Sequence, residues 1–319
     1  MTGYLLRRSA VSVCVLIGIS MVIFLLLHAI YPQPGRIILG IRASPGQVAA
    51  WNGQNGFASA VPVQYWHYLS GLVHGNLGYS FKLNQPVASL FAEVWARSLY
   101  ISGVSLLLAI LVSIPLGIYQ AVRRNRLSDH VATNLEVILY SMPDYLFYLI
   151  AVQVFAFAVP IFSYQASQSN SLLAVMADWH SMTLPIACFA LLITAALSRY
   201  MRSSAIDTLV QDYLKVARAK GLPERLVLSR HLLRNACLPM ITLIGLSIPA
   251  LLAGNLFVET VFNYRGLGLL FYTSLQNADY PVLLAYTLVG AVLTVLGNLL
   301  ADVALTMADP SLRLASPRQ

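Results

Sequence analysis

The chain has 319 residues, of which 58% are apolar and only 10% charged, and its mean hydropathy is +0.71. So few polar side chains cannot cover the surface of a water-soluble globule of this length, so the sequence describes an integral membrane protein. The net charge of +8 and the pI near 9.5 do not point to nucleic acid, because no basic-aromatic binding motif accompanies them and membrane topology explains the excess.

A helix needs about 20 apolar residues to cross the hydrocarbon core. Six stretches qualify, at 9–31, 98–122, 131–162, 182–200, 236–258 and 281–307. They predict one all-α transmembrane domain over 1–319. Arg7, Arg8, the Arg123–Arg126 turn, the stretch from Arg199 to Arg234, Arg313 and Arg318 carry fifteen of the twenty Lys and Arg residues. Basic residues near span ends are retained in the cytoplasm, so both termini are expected there.

The first span follows Arg7 and Arg8. It exceeds the apolar core of a signal peptide and no small-x-small cleavage site follows it, which favours an uncleaved helix. Residues 32–97 form a long outer connection. Within it, Pro62–Val73 has the spacing of a short amphipathic helix with Tyr65, Trp66, Leu69 and Leu72 along one side. Two readings stand: an interfacial helix anchored by aromatics, or part of a lid or dock for an external partner.

The third span carries Glu136 and Asp144 together with Pro143 and Pro160. Glu136, Tyr140, Asp144 and Tyr148 recur every four residues and predict a drifting stripe on one helical face, with Pro143 as a kink. An intramembrane acid is costly and faces the bundle interior or water. Asp144, Tyr140 and Tyr148 are therefore candidates for a translocation pathway, Asp144 as a negative wall for cationic groups. The alternative places Glu136 at the cytoplasmic interface and pairs Asp144 with Gln153 or Asn298.

Between spans four and five, 201–235 is basic and loop-like, and its punctuation is specific. A helix over Asp212–Lys220 sets Ala217 and Ala219 among long polar neighbours, and Gly221 ends it as a left-handed cap. Pro223 suits the first turn of a second helix, and Glu224 suits its positive end. Arg225, Arg230, His231 and Arg234 decorate that helix, while Leu226, Leu228, Leu232 and Leu233 are free to face membrane or partner. Leu238-Pro239 leads into span five. Charge alone would fit a loop held at anionic lipid headgroups. The ordered Ala, Gly and Pro positions instead point to a knuckle that docks a cytoplasmic protein. In span five, Asn255 and Glu259 lie four apart and suit an outer gate, with Asn255 a further candidate for the translocation pathway, or Glu259 caps the Thr260–Gly268 loop.

Catalytic and cofactor motifs are missing from the sequence. There is no phosphate-binding G-x-x-x-x-G-K-[ST], no H-E-x-x-H and no G-x-S-x-G, and Gly266-Leu267-Gly268 lacks the third glycine of a dinucleotide loop. The six histidines have no metal-ligand spacing. Cys14, Cys188 and Cys237 are too scattered for a disulfide framework and read as buried small hydrophobes. No catalytic residue, metal site or cofactor is expected in this chain, so any fuel is consumed elsewhere. An autonomous channel or ion-coupled transporter would be expected to show more intramembrane charge or an inverted repeat.

Several segments together resemble a known family. Lys215-Val216-Ala217-Arg218-Ala219-Lys220-Gly221, with Leu238-Pro239 downstream, is similar to the cytoplasmic signature of permease subunits in binding-protein-dependent ABC importers of the dipeptide, oligopeptide and nickel branch. Lys215 replaces its acid and Val216 its first alanine. Tyr4-Leu5-Leu6-Arg7-Arg8 resembles the family's start, and Gly75-Asn76-Leu77-Gly78-Tyr79-Ser80 resembles its outer G-D-L-G-x-S element, with Asn76 for Asp. Glu259–Gly268, including Phe262 and Gly266, followed by Asp279-Tyr280-Pro281, is similar to its outer loop, with Arg265 where Pro is common. Asp309-Pro310 resembles its tail, with Ser311 for Arg.

The resemblance implies the six-helix bundle of type I importers in a bacterial or archaeal cytoplasmic membrane. It also implies a heterodimer with a similar permease, two ATPase subunits beneath the knuckle that bind ATP and magnesium, and an extracytoplasmic substrate-binding protein. Trp66, Glu259, Phe262, Gly266, Gly268 and Asp279 would lie on the side facing that binding protein. Di- and oligopeptides are the implied substrates, with nickel chelates, glutathione and oligosaccharides left open.

Overall fold

A computed structural model describes the backbone of residues 2–40 and 42–308, and the side chains of 11–40, 42–245, 247 and 254–298. The amino-terminal match at Tyr4–Arg8 lies outside the described side chains, and the tail match at Asp309–Ser311 lies outside the described residues altogether. The same holds for Arg313 and Arg318.

The chain is helical almost throughout. In order come α1 (Thr2–Ile30), α2 (Pro34–Leu39), α3 (Pro45–Gln54), α4 (Val61–Val73), a two-residue hairpin of β1 (Tyr79–Ser80) and β2 (Gln85–Pro86), and α5 (Val87–Val122). Then follow α6 (Leu127–Ser141), α7 (Asp144–Val152) with a π-helical extension Gln153–Ala158, α8 (Leu172–Ala177), α9 (Trp179–Leu209) and α10 (Asp212–Ala219). The rest comprises α11 (Glu224–Leu226), a π-helical turn Val227–Leu232, α12 (Leu233–Ala236), α13 (Leu238–Ala253), α14 (Leu256–Val261), α15 (Leu267–Gln276) and α16 (Tyr280–Ala308).

Among the described residues four helices are long and apolar enough to cross a membrane: Val11–Ile30, Val87–Val122, Trp179–Leu209 and Tyr280–Asn298. A fifth candidate, Leu127–Ser141 with Asp144–Ala158, is bent by 105° at Met142-Pro143. The kink expected at Pro143 is here a full break between two helices. Pro143 has no N–H to continue the ladder and Met142 before it is extended, so one helix stops and another begins. Two other boundaries move as well. α5 starts eleven residues before the expected span, and α9 continues nine residues past its expected end at Tyr200.

The chain divides into two compact units. One comprises 1–98, 252–256 and 265–295. In it the two tyrosines of α4 face inward: Tyr65 and Tyr68 pack against Phe24, with ring centroids 5.3 and 5.9 Å away. Tyr65 also shares a 2.8 Å hydrogen bond with Ser20. Trp66 is 69% exposed, so it leaves the expected stripe. A second cluster joins Val87, Leu90 and Phe91 of α5 to Leu267 and Val282.

The other unit comprises 99–251, 257–264 and 296–319. One cluster, around Ile101, Met182, Tyr148 and Phe262, takes residues from α5, α7, α9 and the segment after α14. Another joins Met201 and Ala205 of α9 to Leu214, Ala217, Val227, Leu232 and Ala236. Cys188 is buried and Cys237 half-buried, while Cys14 on the candidate span Val11–Ile30 is exposed in the isolated chain.

Candidate functional site

The segment from Asp212 to Pro239 forms the knuckle. α10 ends in a Schellman motif: Gly221 N–H donates to Arg218 O at 2.9 Å and Leu222 N–H to Ala217 O at 3.4 Å. Gly221 has φ +79°, the left-handed region where a Cβ is penalised. A Cβ built on it meets nothing within 4 Å, so its requirement is conformational. Leu222 then joins the cluster beneath. Pro223 is extended and serves as the N-cap of α11 rather than lying in its first turn.

Arg218 and Glu224 close the turn from outside. The guanidinium donates to both carboxylate oxygens, at 3.1 and 2.9 Å. This pair holds the Glu224 carboxyl below its usual range and pushes Arg218 further up. Both side chains are exposed, so solvent screens the attraction and its net stabilisation is small. Asn235 donates to the Tyr213 hydroxyl at 2.7 Å, and Ser204 on α9 donates to Ala236 O at 2.8 Å. α9, α10 and α12 therefore share one seat.

Within the knuckle the two alanines differ. Ala217 is buried against Val227, Leu232 and Ala236, while Ala219 is exposed with Asp212, Val216, Lys220, Pro223 and Arg225. Leu232 is fully buried and is therefore not available to membrane or partner, unlike the half-buried Leu226, Leu228 and Leu233. Lys215, where the signature has an acid, pairs with Asp212 at 2.8 Å. Leu238 and Pro239 begin α13, where the absent proline N–H costs no helical bond.

The candidate pathway residues do not form one stripe, because the helix breaks at Pro143. Tyr140 is 64% exposed, with Arg199 stacked 4.9 Å over its ring. Asp144 is exposed at the start of α7, and no hydrogen bond joins it to Gln153 or Asn298. Tyr148 is fully buried in the core against Phe262, at 6.1 Å between centroids, and therefore lines no passage within this chain. Glu136 is buried within the chain. Its Oε1 accepts from Gln120 Nε2 and from Ser198 Oγ, both at 2.8 Å.

The residues expected to face a binding protein are mostly internal. Phe262, Glu259, Gly266, Gly268 and Asp279 are all buried, and among the six only Trp66 offers exposed surface. The physical reason is local closure. Phe262 O accepts from Ala166 N–H at 2.8 Å, and Glu259 O accepts from Tyr264 N–H at 2.7 Å. A Cβ on Gly268 would stand 2.8 Å from both Asn255 O and Leu256 Cα, so this glycine allows a close backbone approach beside Asn255. Asp279 accepts a short hydrogen bond from Ser80 Oγ. Burial pushes the Asp279 carboxyl up, with Ser80 and Lys82 opposing. The hairpin that supplies Ser80 has no strong sequence signal, so this link was not predicted.

No cluster of His, Cys, Asp or Glu able to hold a metal occurs among the described residues. What the geometry supplies is a knuckle closed by the Gly221 turn and packed on the end of the membrane-length helix α9.

Comparison with known proteins agrees with that architecture. The family described as "Binding-protein-dependent transport system inner membrane component" matches residues 113–314, and the amino-terminal part of such membrane components matches 1–101. The chain is 35% identical over 312 residues to the oligopeptide transport system permease protein AppB of Bacillus subtilis (strain 168), covering 97% of this chain and 99% of that protein. It is 33% identical over 314 residues to the glutathione transport system permease protein GsiC of Salmonella choleraesuis (strain SC-B67), covering 98% and 99%. A putative peptide permease protein of Brucella ovis is 33% identical over 323 residues, covering 98% and 100%. The chain thus belongs to the inner membrane components of binding-protein-dependent transport systems, as a permease subunit of an ABC importer.

Proposed function

We propose that this chain forms half of the translocation pathway of an ATP-driven importer of di- and oligopeptides. Six spans cross a bacterial or archaeal cytoplasmic membrane, with both termini in the cytoplasm. A paralogous permease completes the pathway and an extracytoplasmic binding protein delivers substrate. Two ATPase subunits, which bind ATP and magnesium, dock on the knuckle. The observation that carries the reading is the near-full-length match to an oligopeptide permease, joined to a knuckle whose turn is fixed by Gly221. Glutathione, itself peptide-like, is the second reading, supported by the matches to glutathione permeases.

ATP-driven closure of the ATPases moves the knuckle, and α9 and α13 carry that motion into the membrane as lever arms. The test is purification of the assembled complex, followed by uptake of labelled dialanine and of glutathione with ATP consumption measured in parallel. A Gly221→Val chain places a β-branched residue at left-handed φ, at a cost of about 1–2 kcal/mol. Uptake should fall to background while the chain still inserts. Retained uptake would remove the knuckle from the mechanism, and a complex lacking ATPase subunits would refute the reading itself.

A further inference from the structure

Beside the knuckle, α9 carries a second set of polar contacts on α6. Asp129, in the first turn of α6, is 1% exposed. It accepts two parallel bonds from Arg202 of α9: Nε to Oδ1 at 2.7 Å and Nη2 to Oδ2 at 2.8 Å. Oδ2 also accepts the Asn125 backbone N–H at 2.9 Å, and Asn125 itself has φ 65° in the turn before α6. The fork geometry of Arg suits such bidentate pairing and fixes direction as well as distance.

Two further rungs lie nearer the amino-terminal end of α9, where Ser198 donates to Glu136 and Arg199 covers Tyr140. α5 is seated at the same level. A Cβ on Gly117 would stand 2.6 Å from Met201 Cβ, 2.8 Å from Ser198 O and 2.9 Å from Arg202 N. The 201–205 stretch of α9 thus meets α5 through Met201, α6 through Arg202, and the knuckle through Met201, Ser204 and Ala205. α6 runs from this clasp to the break at Pro143, where Asp144 begins α7.

We infer that Asp129 and Arg202 are positioning residues for transport: their clasp makes α6 follow the knuckle, so that motion received at α10 reaches the Met142-Pro143 break. A helix tied to its neighbour only by apolar contacts can slide. One held by a bidentate pair on a buried carboxylate moves with it. The inference rests on the proposed importer function and deepens it.

The experiment uses the complete complex in vesicles, with labelled dialanine and glutathione as probes, and reads substrate moved per ATP hydrolysed. Arg202→Lys keeps the charge but loses the fork, and its ratio should fall about tenfold, as for loss of a typical coupling between sites. Arg202→Gln leaves the Asp129 carboxylate buried without its cation and should also assemble poorly. Adding Asp129→Asn removes that charge, so the double variant should regain assembly but keep the low ratio.

Recovery of assembly without recovery of the ratio separates positioning from bracing. A normal ratio in an assembled Arg202→Lys or double variant overturns the inference, and so does a double variant that never assembles, since the pair would then serve folding alone. If the unaltered complex moves neither probe on ATP, the proposed function fails and takes this inference with it.

Discussion

Gly221 and Gly268 both sit in segments that resemble family motifs, yet the fold uses them for opposite reasons. Gly221 has open space around its Cα and a φ of +79°, so any Cβ fits sterically but strains the backbone. Gly268 needs no unusual φ but abuts Asn255 O and Leu256 Cα at 2.8 Å, so a Cβ has nowhere to go. The first glycine buys a turn, and the second allows contact. A sequence motif records that glycine is required at each position without recording which physical demand selects it.

Substitution by alanine should separate the two most strongly at Gly268. Backbone atoms cannot step aside as a side chain tip can, so Gly268→Ala should cost about 1–3 kcal/mol through overpacking. Thermal unfolding of the purified chain measures it. A variant as stable as the parent would mean that the loop relaxes freely. At Gly221 the demand is φ, which asparagine tolerates better than other residues. Gly221→Asn should therefore retain much of the uptake that Gly221→Val loses, whereas Gly268→Asn should be worse than Gly268→Ala. Equal damage from Asn and Val at Gly221 would show that the turn's surface, not its backbone, is what matters.

What was legible in the sequence follows the same division. The left-handed end of α10, the break at Pro143 and the helix at α4 come from a glycine free to adopt positive φ, a proline that fixes its own backbone, and side chains that repeat with helical period. The pairing of Asp129 with Arg202 spans 73 positions, and that of Ser80 with Asp279 spans 199. Nothing in a local pattern encodes either. The same limit hid the burial of Phe262 and Tyr148, whose aromatic character fits a core or an accessible face equally well. The stripe through Glu136 and Tyr148 is not continuous, because Pro143, expected as a kink, ends one helix before the next begins.

Two acids extend the comparison from backbone to charge. Asp279 is buried and its carboxyl is pushed up, mainly by desolvation. Its folded form holds a proton to higher pH than the unfolded chain does, so its contribution to stability is greatest below the ordinary aspartate range and declines as pH rises through the raised value. Asp279→Asn keeps an oxygen to accept from Ser80 and removes the charge. Hydrogen exchange around Ser80 and Asp279 should then lose its decline in protection with rising pH, and an unchanged profile would assign the effect to another group.

Glu224 has the opposite sign and the smallest effect. Its carboxyl is held down chiefly by the Arg218 hydrogen bonds, so the folded form stays ionised to lower pH than the unfolded chain. The stability it adds is present above the ordinary glutamate range and is lost as pH falls through the lowered value. The side chain is 54% exposed and Arg218 39%, so screening by solvent leaves at most about 0.5 kcal/mol. Glu224→Gln should shift unfolding by no more than that at neutral pH and by nothing below the lowered value, and added salt should erase the difference. A larger, salt-insensitive loss would mean that the ion pair, rather than the φ of Gly221, holds the knuckle's shape, and the contrast between the two glycines would then lose its first half.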